Sequence, residues 1–231
     1  MSDPGAQSIS PVAPVASPGI APSLFVFALI YGGMTVLAGF LAVKQVSLGP
    51  SGLSVESGIF AFLILVVLSS ATAQLHGART ANRLVIWGFL PLALSIVLIL
   101  VVLRLPADPG MWPEGLAAFQ MIHATTPRIM AAGPVAYLVS LLLNVWIFSK
   151  LRGSGDGAGG GIGLMVRGAI ASALSQAIDS VIFVTLAFGG EREIGSLIAG
   201  QALAKIVLSI VLVPFLIALA VKAARALDRR G

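Results

Sequence analysis

The sequence predicts an all-α membrane protein with six transmembrane helices. Of its 231 residues, 58% are hydrophobic and only 10% are charged, and the mean hydropathy is +1.02. A soluble domain of this length would need far more polar surface to cover its core, so a lipid bilayer is the expected environment. Six apolar stretches also approach the roughly 20 residues that cross the hydrocarbon core as a helix. They lie at residues 23–43, 57–75, 84–104, 129–149, 168–189 and 195–221.

The two ends of the chain differ in composition from this membrane domain, which covers residues 23–222. Residues 1–22 are rich in Pro, Ala, Ser and Gly and show no helical apolar period, which predicts a disordered cytoplasmic tail. A signal peptide is the alternative, but no Lys or Arg precedes the first apolar stretch, which has the length of a full span. Residues 223–231 predict a basic cytoplasmic tail.

The basic residues predict that both termini lie in the cytoplasm. Lys and Arg are more frequent in the segments on the side of the termini, and cytoplasmic loops carry this excess. That side would contain Arg79, Arg83, Lys150, Arg152, Arg167, Lys222, Arg225, Arg229 and Arg230, whereas the other would contain Lys44, Arg104, Arg128 and Arg192. The excess of basic residues in cytoplasmic segments explains the +5 net charge, so we expect no nucleic-acid partner.

Two halves of three helices each are predicted, joined by the glycine-rich linker at residues 153–163. Three helices per half would invert the second copy relative to the first, which is a recurrent transporter architecture. The segment Ser70-Ala-Thr-Ala-Gln74 is matched by Ser172-Ala-Leu-Ser-Gln176, and Pro91 is matched by Pro214. The sequence therefore predicts a 3+3 inverted-repeat bundle.

The connection between the third and fourth spans, residues 106–128, is too polar to cross the membrane. Pro113 and Glu114 suit the first turn of a short helix that would run to about His123. We expect this short helix to lie at the outer interface or to fold back over the mouth of the bundle.

The sequence favours a transporter over an enzyme. Without cysteine, disulfides and thiolate catalysis are excluded. The two histidines, His76 and His123, are predicted at opposite membrane faces, so they cannot share one active site or one metal. No nucleophile and base are paired by the sequence, and no phosphate-binding glycine loop is present. We therefore expect no catalytic residues, no cofactor and no metal.

Two charged residues within the predicted spans mark the candidate site. Asp179 is the only acidic residue in the middle of a span, and Lys205 is the only basic one. A carboxylate at the bilayer centre costs about 2.5–3.5 kcal/mol on insertion scales, so it should face the bundle interior and have partners. We expect Asp179 and Lys205 to lie on facing helices and to interact. A purely structural ion pair is the alternative interpretation.

Polar residues at helical spacing extend this site over several helices. Ser175 and Gln176 lie three and four residues before Asp179, and Gln201 lies four residues before Lys205, which places them on shared helix faces. The further candidate ligand contacts are Tyr137, Asn144, Gln74, Arg128 and Arg167. Hydrogen bonding between membrane helices is the alternative role for the polar side chains, and interfacial anchoring is the alternative for the two arginines.

Several segments resemble the queuosine precursor transporter family, which is also called VUT. The resemblance covers about residues 25–222, and its most specific part is the Ser-Gln-x-Ile-Asp stretch that ends at Asp179. The segments that carry it are Ile86-Trp-Gly-Phe89, Trp112-Pro113, Ala118-Phe119, Pro127-Arg-Ile129, Ala136-Tyr-Leu-Val-Ser140, Asn144-Val145, Phe148, Arg167, Ser175-Gln-Ala-Ile-Asp-Ser-Val-Ile-Phe183, Gln201 and Lys205.

The resemblance implies uptake of 7-cyano-7-deazaguanine (preQ0) or related deazaguanine precursors of queuosine, across the bacterial inner membrane, for tRNA modification. A guanine-like edge offers an N–H and an amino group side by side, which a carboxylate such as Asp179 can accept. Gln176 or Asn144 would donate to the base oxygen. The chain departs from the family at Ser70 and Gln74, where acidic residues are usual, so a second carboxylate is not expected in the second span.

Three alternatives to a self-contained transporter follow from the same residues. A solitary substrate-binding membrane subunit would borrow an energising module, and Ala38-x-x-x-Ala42 would be its small-residue docking face. A scaffold without a ligand would leave uptake unchanged when Asp179 is replaced by Asn. A homodimer is a further arrangement that the sequence leaves open.

Overall fold

A computed structural model describes residues 19–152, 162–191 and 193–229, without the side chains of residues 141, 142, 144–152 and 162–172. The predicted linker and most of the N-terminal tail lie outside the described residues. The described chain is helical apart from one β-hairpin and one short 3-10 turn, as expected of an all-α membrane protein. Its elements are α1 (Pro22–Leu41), β1 (Gln45–Ser47), β2 (Ser54–Glu56), α2 (Gly58–His76), α3 (Ala78–Gly88), α4 (Leu90–Val102), α5 (Pro113–Arg152), α6 (Ile162–Phe188), α7 (Gly195–Val211) and α8 (Val213–Asp228).

Three helical stretches of the described chain are long and apolar enough to cross a membrane by themselves. They are α1, α2 and the combined stretch α3–α4. The pair α7–α8 is long and apolar enough when taken together, and its 52° bend fits either one broken span or a re-entrant loop. The fourth and fifth predicted spans fall on α5 and α6, parts of which lie outside the described side chains. The count of six spans therefore stays a prediction.

The outward face of the bundle is apolar, as contact with lipid requires. Helix α4 exposes Leu94, Val97, Leu98 and Val101, which a soluble protein would place in its core. Inside the bundle, a core cluster forms where α1, α2, α3 and α8 meet. Its largest members are Phe27, Tyr31, Leu65, Leu68, Leu84 and Val221.

Two prolines break their spans at corresponding positions. Helix α3 begins six residues before the predicted third span. Phe89 separates α3 from α4 and stands two residues before Pro91. Leu212 separates α7 from α8 two residues before Pro214. Because proline lacks a backbone N–H and its ring crowds the preceding turn, a break at this place is expected. The correspondence supports the inverted repeat, which itself stays a prediction.

Helix α5 is longer than predicted. The expected short outer helix and the fourth span form one 40-residue helix, although Pro127 and Pro134 lie inside it. Proline is tolerated inside membrane helices where the surrounding protein accommodates the freed backbone groups. At about 1.5 Å per residue the helix is twice the thickness of a hydrocarbon core, so it extends beyond the membrane.

A β-hairpin between the first two spans was not predicted. Strands β1 and β2 pair antiparallel, with Val46 opposite Val55, and the turn uses Gly49 and Gly52 at positive φ. The hairpin packs against α7 at Gly200, where a Cβ atom would collide with the backbone of Ser54. This close approach buries the end of β2.

The opposite end of the bundle is tied together by polar contacts. The backbone N–H and the hydroxyl of Ser23 donate to the two carboxylate oxygens of Asp228 at 2.8 and 2.7 Å, and Nε2 of His76 lies 3.1 Å from the same hydroxyl. These bonds join the start of α1 to the ends of α2 and α8. Helix α8 accordingly continues to Asp228, through most of the predicted 223–231 tail.

Candidate functional site

A cavity of about 320 Å³ lies between the helices at the level of the predicted charged pair. Its volume falls at the lower end of the about 300–1,000 Å³ that is usual for small-molecule sites. Helices α1, α2, α4, α5, α6 and α7 and strand β2 contribute to its wall. Its polar lining comprises Tyr31, Thr35, Glu56, Ser69, Tyr137, Ser140, Ser175, Gln176, Asp179, Gln201, Lys205 and Ser209.

Asp179 on α6 and Lys205 on α7 form an ion pair at the cavity wall, which confirms that they lie on facing helices. Both residues are 6% exposed. The ammonium group of Lys205 donates to Oδ2 of Asp179, and the Ser140 hydroxyl donates to Oδ1 at 3.2 Å. Each carboxylate oxygen therefore accepts a bond from within the protein, as a buried charge requires.

Aromatic rings surround the charged pair. The Lys205 ammonium lies 4.8 Å from the ring centroid of Phe62 and 5.9 Å from that of Phe183, so both ring faces attract the cation. On another part of the wall, the rings of Phe89 and Tyr137 lie 6.0 Å apart. The cavity thus combines flat apolar surfaces with charged and amide groups, a combination suited to a planar, polar heterocycle.

The amide of Gln176 belongs to the same wall. The hydroxyl of Ser209 on α7 donates to Oε1 of Gln176 at 3.1 Å, which orients the amide between α6 and α7. Ser175 is buried beside it and also lines the cavity. The predicted polar face of this helix therefore points toward the interior of the bundle.

Glu56 is a second buried carboxylate, and sequence reasoning missed it. It ends strand β2, is 3% exposed and lines the cavity. Nε2 of Gln201 donates to its Oε1 at 2.7 Å. Within the described part of the chain, Oε2 of Glu56 and Oε1 of Gln201 are both buried without a hydrogen-bond partner.

Burial dominates the electrostatics of Glu56. Burial raises the pKa of Glu56 above its usual range, and this outweighs the opposing effects of the Gln201 hydrogen bond, the Lys205 charge and the backbone N–H groups of Gly58 and Ile59. Those N–H groups lie at the start of α2 near the carboxylate, but they make no well-aligned bond to Oε2. The carboxylate is therefore only partly satisfied by the protein.

A sequence signal for the hairpin that carries Glu56 exists. Residues 45–56 contain two short segments of alternating polarity around a Gly-Pro-Ser-Gly turn, which is typical of a β-hairpin. The apolar pattern of the flanking spans obscures it, because Glu56 stands directly before the second apolar stretch. On the sequence alone, Glu56 appears as a charged residue at the end of a span.

The structure brings together six of the ten predicted site residues. Those that line the cavity are Asp179, Lys205, Gln176, Ser175, Tyr137 and Gln201. Gln74 is exposed near the end of α2, away from the cavity lining. The side chains of Asn144 and Arg167 lie outside the described residues.

Arg128 also lies away from the cavity lining, at the end of α6. Its guanidinium donates to the carbonyls of Leu186 and Gly189, each at 2.7 Å, and to the Glu191 carboxylate at 3.1 Å. The last carbonyls of a helix lack partners and carry a partial negative charge, so a cation is favourable there. The structure therefore gives Arg128 a helix-capping contact between α5 and α6.

Comparison with known proteins gives one match. A family model described as "Putative vitamin uptake transporter" matches residues 56–219, which is more than half of the chain. The matched region begins at Glu56 and contains Asp179, Gln201 and Lys205. No curated protein and no solved structure matches the chain.

Proposed function

The chain belongs to the vitamin uptake transporter family, and we propose that it imports a deazaguanine base, preQ0 or a close relative, as a precursor of queuosine in tRNA. The resemblance of residues 25–222 to queuosine precursor transporters supports this substrate. The proposed location is the bacterial inner membrane, with both termini in the cytoplasm, and no catalytic role is proposed.

The observation that carries the proposal is the buried ion pair of Asp179 and Lys205 beside a cavity of ligand size. Ionisable residues within membrane spans are costly, and they usually mark a pathway or a binding site. A structural ion pair needs no cavity next to it. Here the pair shares the cavity wall with the amides of Gln176 and Gln201.

The chemistry of the wall fits a guanine-like base. The Lys205 ammonium and the Gln176 amide supply donors for the carbonyl oxygen of the base. The carboxylate of Asp179 has about four lone-pair sites and uses two of them within the protein, so it can still accept an N–H. Aromatic rings such as Phe62 and Tyr137 would pack against the faces of the planar ring system.

The small-residue face of α1 that suggested the solitary-subunit alternative is not available to a partner. Ala42 is 1% exposed in a core cluster with α5, α6 and α7, and Ala38 lines the cavity. The small-residue face of α1 is therefore used inside the bundle, and the expectation that it docks a partner is wrong. We retain the self-contained transporter.

The proposal is tested by measuring queuosine in the tRNA of cells that can neither synthesise nor otherwise import the precursor. With limiting preQ0, we expect wild-type protein to restore queuosine and Asp179→Ala to fail at equal membrane abundance. Glu114→Gln, which neutralises an exposed acidic residue outside the cavity lining, is the matched control and should behave as wild type. Failure of the wild type with every deazaguanine supplied would overturn the substrate assignment.

A further inference from the structure

The carboxylate of Glu56 is held inside the bundle without a salt bridge. Among the described side chains, Lys205 forms its ion pair with Asp179, and no cation lies within salt-bridge distance of Glu56. The chain nevertheless buries Glu56 at the cavity wall, next to Gln201.

Two oxygen atoms of this pair stand unpartnered in the described structure. Oε2 of Glu56 and Oε1 of Gln201 are buried, and the residues that carry them are 3% and 1% exposed. Buried polar atoms in folded proteins nearly always have a partner, because leaving one unpaired forfeits its hydration. Both residues line the cavity, so a molecule bound there can supply the missing donors.

The hydrogen bonds that each carboxylate already accepts distinguish Glu56 from Asp179. Both oxygens of Asp179 already accept bonds, one from Lys205 and one from Ser140. Glu56 accepts one described side-chain bond, from Gln201, and the amide oxygen of Gln201 has no described partner. Because they are hydrogen-bonded to each other, Glu56 and Gln201 present neighbouring acceptors, whereas Lys205, one turn further along α7, presents a donor.

We propose that Glu56 and Gln201 together recognise two adjacent N–H donors of the bound base, the ring N–H and the exocyclic amino group of a 2-aminopyrimidine edge. Glu56 is thus a specificity-determining residue that distinguishes amino-bearing bases from bases that lack the amino group. Asp179 holds Lys205 in place, and the Lys205 ammonium donates to the oxygen of the base. This inference rests on the proposed function, because it assigns the orientation of the base within that site.

The test uses the full-length purified protein in lipid nanodiscs and two ligands. One is preQ0, and the other is 7-cyano-7-deazahypoxanthine, which lacks only the exocyclic amino group. We expect wild type to bind preQ0 roughly tenfold more tightly or better, and Glu56→Gln to reduce this preference to about twofold or less. Glu56→Gln should change the affinity for the analogue little, because the analogue has no amino group to donate to Glu56.

Two further variants keep the test decisive. Gln201→Leu removes the hydrogen bond that orients Glu56 and should therefore also reduce the preference, so it replaces Glu56→Gln if that variant does not fold. Ser95→Ala is the matched control, since its hydroxyl donates to the carbonyl of Pro91 and lies away from the cavity lining. It should keep the wild-type preference.

The outcomes separate this inference from the proposed function. If wild type binds preQ0 and both variants keep the full preference, the role assigned to Glu56 is overturned while the transporter proposal stands. If wild type binds neither base, both are overturned. If the preference survives these variants and Glu56→Gln removes a Na⁺ dependence of preQ0 affinity seen in wild type, the assignment is overturned and the oxygens bind a cation instead.

Discussion

Lys205 and Asp179 pair across the interface of α7 and α6, and each is almost completely buried. The ion pair is bordered by a cavity on one side and by the ring of Phe62 on another. Pairing allows both charges to remain within the bundle, because each charge offsets part of the other's desolvation cost. The same contact keeps a donor and an acceptor in place for a ligand.

The cost of breaking this pair separates its structural role from its functional role. Asp179→Leu or Lys205→Met alone leaves an uncompensated buried charge, and we expect either to lower the free energy of unfolding by about 3–5 kcal/mol. The double variant removes both charges and should regain most of this stability while remaining inactive in uptake. Chemical denaturation and uptake assays measure the two effects. Uptake by a stable double variant would show that the pair is structural.

The helix-capping contact of Arg128 should affect stability without affecting ligand binding. Arg128→Ala removes the guanidinium from the carbonyls of Leu186 and Gly189, and partial exposure limits the loss to about 1–3 kcal/mol. The dissociation constant for preQ0 should stay within about twofold of wild type, because Arg128 lies away from the cavity lining. Thermal unfolding and equilibrium binding test this. A large loss of affinity in a folded variant would contradict the assignment.

The contact of β2 with α7 should control how Glu56 is presented. A Cβ at Gly200 would meet the backbone of Ser54, so Gly200→Ala should displace the hairpin and cost about 1–3 kcal/mol of stability. We also expect a weaker preference for preQ0 over its des-amino analogue. Gly33→Ala is the control, because this exposed glycine of α1 lies away from the cavity lining and its Cβ would meet open space. Equal behaviour of the two variants would argue against hairpin control.

The Ser23–Asp228 contact makes one end of the bundle sensitive to acid. Hydrogen bonds from the backbone N–H and hydroxyl of Ser23 lower the pKa of Asp228 below its ordinary value. A depressed folded-state pKa contributes stability above the unfolded-state value, and this is lost as pH falls through the folded-state value. Asp228→Asn should therefore melt below wild type near neutral pH, and the difference should vanish in acid. A difference that persisted in acid would contradict this origin.

The apolar sequence determined the membrane class and the pairing of Asp179 with Lys205. Both conclusions rest on local physics: a run of apolar residues must span lipid, and a charge within it must find a partner. The breaks near Phe89 and Leu212 were not predicted, since Pro91 and Pro214 were used only as a sign of the repeat, although the missing N–H of each proline explains them. The number of spans and their inverted repeat stay predictions.

The tertiary structure decided which polar residues share one cavity. Glu56 enters the site because its hairpin folds back onto Gly200, almost 150 residues along the chain, and no local pattern specifies that contact. Arg128 leaves the site because the end of α6 offers it unpaired carbonyls. Burial of a polar group depends on which distant surface covers it, so the sequence identified the charged pair and the packing of hairpin and helices supplied the rest of the wall.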